Sequence, residues 1–360
     1  MIRADASKFI GTGHLYRCIT LANALSNRGH EVIFLTRTSE KNLLKKIRNN
    51  GHKYCLLQAI KNRSDKKVDN RLSHSRWLHV SQEKDYMECI SKMQHISPDW
   101  VVVDHYGIDS EWEIKVSEYF KGSRMLVIDD LADRKHQCDL LLDQTLGRTY
   151  EEYYEKVESS CKFLFGPRYS LLRNEFKEWR KFSLSRRKKI QVNRVLITLG
   201  GADEYNLTEK ILKKLEKSEY ADSIAFTVIL GGANTWLNKI LEFKMSSWLN
   251  LEIKVDVPNM AELMSNSDIC IGASGSTTWE RCAMGLPTIA ITMADNQSKI
   301  AHQLQIKKIC AVTSLSQIIL TFDNLLSKKN QALLYEYSKN SKRICDGKGT
   351  ERVVSYMGGN

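Results

Sequence analysis

No stretch of the sequence approaches the roughly 20 consecutive apolar residues that a membrane-spanning helix needs, and no apolar signal-peptide segment follows Met1. The nine cysteines form no Cys-x-x-Cys pair and no cluster with histidine at metal-ligand spacing. These absences predict a cytoplasmic protein with reduced thiols, no metal site and no membrane span. Only 4 of the 360 residues are proline and 42% are hydrophobic, which is typical of globular domains rather than disordered or fibrous chains.

Acidic residues are in the minority, because 54 Lys and Arg stand against 42 Asp and Glu and give a formal net charge of +12. Clustered basic residues attract nucleic-acid phosphates. Here they are spread over helical patterns and two runs, 61–76 and 177–189, without a recognisable nucleic-acid module. We therefore predict a solvated basic face and no nucleic-acid partner. Attraction of an anionic nucleotide or a membrane surface is the alternative explanation.

Two series of short apolar strands alternate with helical patterns, and 360 residues suit two domains. The predicted strands are 31–35, 100–103 and 125–128 in the first half, and 194–198, 226–230, 251–255, 269–271 and 288–291 in the second. This alternation predicts an α/β protein of two Rossmann-like, doubly wound domains that face each other across a cleft. In such sheets ligands bind beyond the carboxyl ends of the strands.

The predicted domains are 1–180, 190–330 and a C-terminal helix over 331–360 that packs back across the linker. The linker is the basic, strand-poor stretch 177–193. A strand should precede the first glycine-rich loop, but only Met1–Arg3 is available for it, so either the first strand is very short or the sequence as given starts downstream of the true start.

Glycine-rich loops follow predicted strands at 11–14, 200–203 and 272–278. Glycine lets the backbone approach a phosphate closely, and the next helix N-terminus offers unpaired N–H groups. No loop continues as a P-loop or completes the dinucleotide fingerprint, which disfavours ATP and NAD, and no cofactor is predicted. Glu280 stands one helical turn beyond the third loop, where its carboxylate can accept hydrogen bonds from ribose hydroxyls. The alternatives are steric turns and a solvated glutamate.

His14 directly follows a glycine-rich loop at a helix start, where the helix dipole favours a neutral imidazole that can act as a general base. A capping or packing histidine fits the same position. Asp104-His105-Tyr106 and Asp129-Asp130 each follow a predicted strand. One carboxylate of the Asp129-Asp130 pair is predicted to orient a base, with turn-forming aspartates as the alternative.

Several segments in order along the chain resemble the UDP-sugar hydrolase family of pseudaminic acid biosynthesis, within the glycosyltransferase-B-like superfamily. They span nearly the whole sequence: 3–7, 11–14 with Arg17-Cys18, 103–107, 128–132, 166–176, 200–203 with Asn206, 260–264 through 285–287, Asn296-Gln297, and 346–349 with 351–353.

The resemblance implies hydrolysis of UDP-2,4-diacetamido-2,4,6-trideoxy-β-L-altropyranose to UDP and the free sugar. It implies that His14 activates a water that attacks the anomeric carbon with inversion. Tyr106 and Asn296 would line the sugar and water site. The substrate-binding residues that follow from the loops and the resemblance together are Gly13, Gly200, Gly201, Val257 near the uracil, Ser274, Gly275, Ser276 and Thr277 at the diphosphate, Glu280 at the ribose, and Gln297.

Three other functions fit parts of the sequence. An inverting UDP-sugar glycosyltransferase of the same fold differs only in using an acceptor hydroxyl instead of water. The second is a nucleotide-sugar binding protein without catalysis, and the third is a basic nucleic-acid binder. The sequence predicts no particular oligomeric state and is compatible with a monomer.

Overall fold

A computed structural model describes residues 1–7, 10–58, 71–188, 191–201, 203–232, 234–292 and 298–358. The chain divides into two compact units. The first contains Met1–Leu171 and Thr350–Asn360, and the second contains Leu172–Gly349.

The first unit is built on a parallel sheet of seven strands. The strands are β1 (Ile2–Ala4), β2 (Ile33–Thr36), β3 (Lys53–Leu56), β4 (Trp100–Asp104), β5 (Arg124–Ile128), β6 (Leu140–Asp143) and β7 (Lys162–Phe165), and the helices are α1 (Gly13–Ser26), α2 (Lys41–Asn49), α3 (Gln82–Met93) and α4 (Ser110–Tyr119). The strand order is β3-β2-β1-β4-β5-β6-β7. Because the order reverses between β1 and β4, the switch point of the sheet lies between these strands.

Apolar side chains cover both faces of this sheet, as parallel strands require. Along β4, Val102 packs into one core cluster while Val101 and Val103 pack into the other. This alternation follows from the two-residue period of a strand.

The second unit has a parallel sheet of six strands. The strands are β8 (Arg194–Thr198), β9 (Ala225–Leu230), β10 (Asn250–Val255), β11 (Ile269–Ala273), β12 (Thr288–Ile291) and β13 (Ala311–Thr313). The helices are α5 (Asn174–Arg186), α6 (Leu207–Leu215), α7 (Leu237–Ser246), α8 (Met260–Asn266), α9 (Thr277–Ala283), α10 (Ser298–Ile306), α11 (Ile318–Leu326) and α12 (Gln331–Ile344). Its order, β10-β9-β8-β11-β12-β13, places the switch point between β8 and β11.

The organisation around the predicted linker differs from the expectation. Residues 177–193 were predicted as a strand-poor connection, but most of them lie in α5, which belongs to the second unit. The units divide between Leu171 and Leu172, ahead of the predicted boundary at 180. Apolar positions such as Phe176, which is fully buried, make this basic segment a packed helix.

The C-terminal segment forms two helices instead of one. The helix α12 packs on α9 in the second unit. The last helix, α13 (Gly349–Gly358), returns to the first unit, where Val353, Val354 and Met357 enter the core. Gly347, with φ of 78°, lies in the turn between them, in a backbone region that favours glycine.

None of the helices in the described part of the chain is long and apolar enough to span a membrane. All nine cysteines are free thiols, and only Cys55 is not fully buried. Buried free cysteines behave as small apolar side chains.

Candidate functional site

His14 and Asp104 meet at the switch point of the first sheet. His14 lies in the first turn of α1, which follows β1, and Asp104 is the last residue of β4. Their side chains form a hydrogen bond of 2.6 Å between Nδ1 and Oδ1. A carboxylate at this distance requires a proton on Nδ1, so Nε2 carries the free lone pair. Within the described residues Nε2 has no hydrogen-bond partner.

Arg17 holds the Asp104 carboxylate from the other side. Its Nε and Nη2 donate to the two carboxylate oxygens at 2.7 Å each, and its Nη1 donates to Asp130 Oδ2 at 2.5 Å. Burial alone would raise the pKa of Asp104, but Arg17 and His14 outweigh burial and hold that pKa well below its usual range. Asp104 is therefore an ionised partner that fixes the ring of His14 and stabilises its protonated form.

Tyr106 lies against His14, as expected for a residue of the same site. Its ring meets the imidazole edge to face at a centroid distance of 4.6 Å, and its hydroxyl donates to Asp130 Oδ2 at 2.7 Å. Burial and the nearby Asp130 raise the pKa of Tyr106 well above its ordinary value. The hydroxyl therefore remains protonated, and its oxygen is left to accept a hydrogen bond.

Two further aromatic residues, His74 and Trp77, complete a wall beside His14 that sequence reasoning missed. The Trp77 ring stacks on Tyr106 at 5.6 Å and 23°, and the His74 ring meets Trp77 edge to face at 4.5 Å. A Cβ on Gly107 would lie 2.9 Å from the His74 backbone oxygen, so glycine permits this approach. Neither periodicity nor a motif marks these residues, although a lone Trp in a polar segment was a weak signal.

The predicted role of the Asp129-Asp130 pair was wrong, because the carboxylate that orients His14 is Asp104. Asp129 is fully buried and accepts hydrogen bonds from the Arg134 side chain and the Ala132 backbone N–H. Asp130 contacts Arg17 and Tyr106 instead of the histidine. The end of β4 lies next to β1 across the switch point, whereas β5 is one strand further away.

In the second unit, glycine loops follow β8 and β9 at the carboxyl edge of the sheet. Gly200 has φ of 91°, and a Cβ on Gly231 would lie 2.3 Å from the backbone oxygen of Gly201. The loops thus pack backbone against backbone. Asp203, in the same segment, caps α6 by accepting hydrogen bonds from the backbone N–H groups of Leu207 and Thr208.

The third predicted loop follows β11, on the other side of this switch point. Ser274 is buried, and its Oγ has no hydrogen-bond partner among the described residues. Gly275 and Ser276 are exposed, and Thr277, half-buried, begins α9. The Arg281 side chain donates to Ala273 O at 2.6 Å and to Thr277 Oγ1 at 3.0 Å, and these hydrogen bonds connect the two ends of the turn.

Glu280 lies on α9, one turn beyond Ser276, with its side chain 18% exposed. Arg173 Nη2 lies 4.0 Å from its carboxylate. Burial raises the pKa of Glu280 to about 7, and the attraction of Arg173 only partly offsets that effect. The low exposure of this side chain differs from that of the solvated helix glutamate in the alternative explanation.

The other predicted positions are more scattered. Gly13 is exposed at the start of α1. Val257 is half-buried after β10 and follows Asp256, whose φ is 45°. Asn296 and Gln297 lie outside the described residues. Within the described parts of the chain, no group of three His, Cys, Asp or Glu side chains is placed to hold a metal ion.

Solved structures share this architecture over the whole chain. MurG of Acinetobacter baumannii matches with a TM-score of 0.68 at 15% identity, covering 99% of this chain and 98% of that one. WaaG, a glycosyltransferase involved in lipopolysaccharide biosynthesis, matches with a TM-score of 0.55 at 12% identity and covers 100% of both chains. The chain has the glycosyltransferase-B fold. The UDP-GlcNAc 2-epimerase of Neisseria meningitidis also matches this fold, with a TM-score of 0.61 at 14% identity over 100% and 99% of the two chains.

Within this glycosyltransferase-B fold, residues 194–350 match the glycosyltransferase family 28 C-terminal domain. A Campylobacter jejuni protein named UDP-2,4-diacetamido-2,4,6-trideoxy-beta-L-altropyranose hydrolase is 26% identical over 84% of this chain and 95% of its own length. The resemblance inferred from the sequence is thereby confirmed. An uncharacterized Methanocaldococcus jannaschii protein is 29% identical over 81% of this chain. The match spans about half of that relative, 54% of its length.

Proposed function

We propose that the protein hydrolyses a UDP-sugar, with UDP-2,4-diacetamido-2,4,6-trideoxy-β-L-altropyranose as substrate. The observation that carries this proposal is the His14–Asp104 pair at the switch point, with a 2.6 Å hydrogen bond that leaves Nε2 unpartnered among the described residues. A neutral imidazole held in this way is a general base. The similarity to the named Campylobacter jejuni hydrolase over 84% of this chain supports the choice of substrate.

In this reaction His14 Nε2 removes a proton from a water molecule as the water oxygen attacks the anomeric carbon. The bond between that carbon and the diphosphate oxygen breaks, and UDP leaves with the electron pair. Attack opposite the leaving group inverts the anomeric configuration. Asp104 accepts the hydrogen bond of Nδ1 throughout and stabilises the imidazolium that forms.

The second unit supplies the residues that bind UDP in this proposal. The exposed turn of Gly275 and Ser276 offers backbone N–H groups for the diphosphate, and the unpartnered Ser274 hydroxyl adds a donor. Glu280 accepts hydrogen bonds from the ribose hydroxyls. The backbone at Val257 contacts the uracil, and Gly200 and Gly201 keep side chains away from the phosphates. Asn296 and Gln297 are assigned to the sugar and water site on the sequence resemblance alone.

The test is to incubate the pure protein with this UDP-sugar without any acceptor and to follow the reaction by proton NMR. We expect release of UDP and of a free sugar with inverted configuration. Absence of UDP release would reject the hydrolase. The second candidate is an inverting glycosyltransferase, which the match of residues 194–350 to the glycosyltransferase family 28 C-terminal domain supports; it would release UDP only when a sugar acceptor is added.

A further inference from the structure

The aromatic wall beside His14 contains a tryptophan that core packing does not explain. Trp77 is half-buried, at the end of a short 3-10 helix over Ser75–Trp77. No described residue accepts a hydrogen bond from its Nε1–H, which is open to solvent. Indole N–H groups of well-packed tryptophans usually find a partner, and Trp100, the first residue of β4, donates to Met357 O at 2.9 Å. Trp77 therefore offers a free donor next to an apolar ring.

The position of Trp77 is set by the residues of the candidate site itself. Its ring centroid lies 5.6 Å from that of Tyr106 and 6.1 Å from that of His14. A group in contact with Nε2 of His14 is thus within reach of the indole. The segment is held firmly, because Ser75 is buried and His79 has φ of 64°, a conformation that costs a non-glycine residue about 1 kcal/mol or more.

A flat apolar ring with a single donor suits one part of the substrate in particular. The C–H bonds of a pyranose ring carry partial positive charge, which the negative face of an aromatic ring attracts. Acetamido carbonyl oxygens are acceptors that need an N–H or O–H donor. The Asp104, Arg17 and Asp130 side chains of the same site are occupied with one another and with His14 and Tyr106.

We propose that Trp77 is a specificity residue for the sugar: its indole face packs against the pyranose ring, and its Nε1–H donates to an acetamido carbonyl oxygen. The inference rests on the proposed function, because it assumes a UDP-sugar whose anomeric carbon lies near His14. It assigns recognition of the N-acetylated sugar to the wall of Trp77, Tyr106 and His74, of which the sequence analysis singled out only Tyr106.

The experiment compares Trp77→Phe, which keeps a ring but removes the N–H, with Trp77→Ala, which removes both. The matched controls are Trp248→Phe and Trp248→Ala, at a tryptophan that is 53% exposed in the second unit. Each variant is assayed for UDP release from UDP-2,4-diacetamido-2,4,6-trideoxy-β-L-altropyranose, for UDP affinity by calorimetry and for its melting temperature. The quenching of tryptophan fluorescence by the UDP-sugar is compared with that by UDP.

We expect Trp77→Phe to raise KM about fivefold to tenfold, the effect of one lost hydrogen bond, and Trp77→Ala to raise it at least fiftyfold. Because the contact is made equally before and during reaction, kcat should stay within about threefold. UDP affinity should not change, and sugar-dependent quenching should disappear in both variants. Both Trp248 variants should behave like the wild type.

If the wild type hydrolyses the UDP-sugar and both Trp77 variants have the same KM as the wild type, the inference is overturned. If the wild type releases no UDP, the proposed function fails on its own. The quenching comparison then still decides the role of Trp77, because sugar-dependent quenching that persists in Trp77→Phe rejects it. A lower melting temperature in Trp77→Ala alone would leave Trp77→Phe as the deciding variant.

Discussion

A single nitrogen atom, Nε2 of His14, carries the chemistry in the proposed reaction. Replacing His14 with alanine should lower kcat on the order of a hundredfold or more, because a positioned general base contributes that much. UDP affinity should be retained, since the residues proposed to bind UDP lie on the second unit. The exposed His30→Ala is the control. Near-normal turnover of His14→Ala would remove this residue from the mechanism.

Asp104 acts through His14, so its replacement tests positioning. Asp104→Asn keeps the shape but loses the charge that holds Nδ1 and pairs with Arg17. We expect kcat to fall at least tenfold with little change in KM, and the free energy of unfolding to fall by about 3 kcal/mol, because Arg17 loses a buried partner. The exposed Asp222→Asn should change neither quantity. A loss of stability without loss of kcat would make Asp104 purely structural.

From the raised pKa of Glu280 we predict that UDP binding depends on pH. In the proposed site its carboxylate would accept ribose hydrogen bonds best when ionised, and burial raises its pKa to about 7. UDP affinity measured by calorimetry should therefore weaken as the pH falls from 8 to 6. Glu280→Ala should bind UDP more weakly at every pH, and Glu280→Gln should show no such pH dependence. An affinity that is the same in all three proteins would exclude Glu280 from the ribose site.

The same raised pKa has a consequence for stability. A carboxyl group with a pKa of about 7 in the folded protein and near 4.3 in the unfolded chain binds its proton more tightly when folded. Stability is therefore lost as the pH rises through about 5 to 7. Glu280→Gln removes this loss and should be more stable than the wild type at pH 8, by roughly 3 to 4 kcal/mol, but not at pH 4. Unfolding by urea at both pH values, with Glu83→Gln as an exposed control, measures this difference.

At the scale of elements, the loops after β8 and β9 form one packed pair. A methyl group on Gly231 would meet the Gly201 backbone at 2.3 Å, and backbone cannot rotate out of the way as a side chain can. Gly231→Ala should lower the free energy of unfolding by about 2 kcal/mol and weaken UDP binding. Gly358→Ala, where a Cβ meets nothing within 4 Å, should leave both unchanged. Equal melting temperatures for the two variants would show that the loops can separate at no cost.

The strands predicted most accurately from the sequence are those that are rich in β-branched residues and fully buried. The strands Arg194–Thr198 and Thr288–Ile291 have the predicted bounds. The strands β3, β6, β7 and β13 were not predicted. Short runs such as Lys162–Phe165 contain no β-branched residue and no clear alternation, and β13 has only three residues. The basic charge of α5 concealed its helical periodicity in the same way.

At the scale of the whole molecule, the sequence predicted where the loops lie but not which side chains contact each other. Parallel topology brings His14 and Asp104 to one edge, and alternation along the chain predicts such an edge. Which carboxylate faces the histidine depends on strand order, which the sequence does not reveal. The neighbourhood of Trp77 depends on a close approach of backbone at Gly107, between segments about 30 residues apart. Such contacts leave no periodic signal.

The return of α13 to the first unit predicts how that unit is stabilised. Val353 and Val354 are at most 1% exposed in its core. Val353→Ala should lower the free energy of unfolding by about 1 to 3 kcal/mol, and Ser355→Ala, on the exposed side of the helix, should have a much smaller effect. Denaturant unfolding measures both. A Val353→Ala variant as stable as the wild type would show that α13 is not part of the core.

The return of α13 to the first unit also determines the order in which the two units can fold during synthesis. The second unit is one continuous stretch, Leu172–Gly349, whereas the first is split and contains Thr350–Asn360. Synthesis from the N-terminus lets each unit fold once its residues have emerged. The second unit can therefore finish folding before the first. Until α13 has been synthesised, the first unit, which holds the proposed base, keeps an exposed apolar surface where α13 will pack. If the proposed function holds, a chain that ends at Gly349 should already bind uridine nucleotide yet show no turnover.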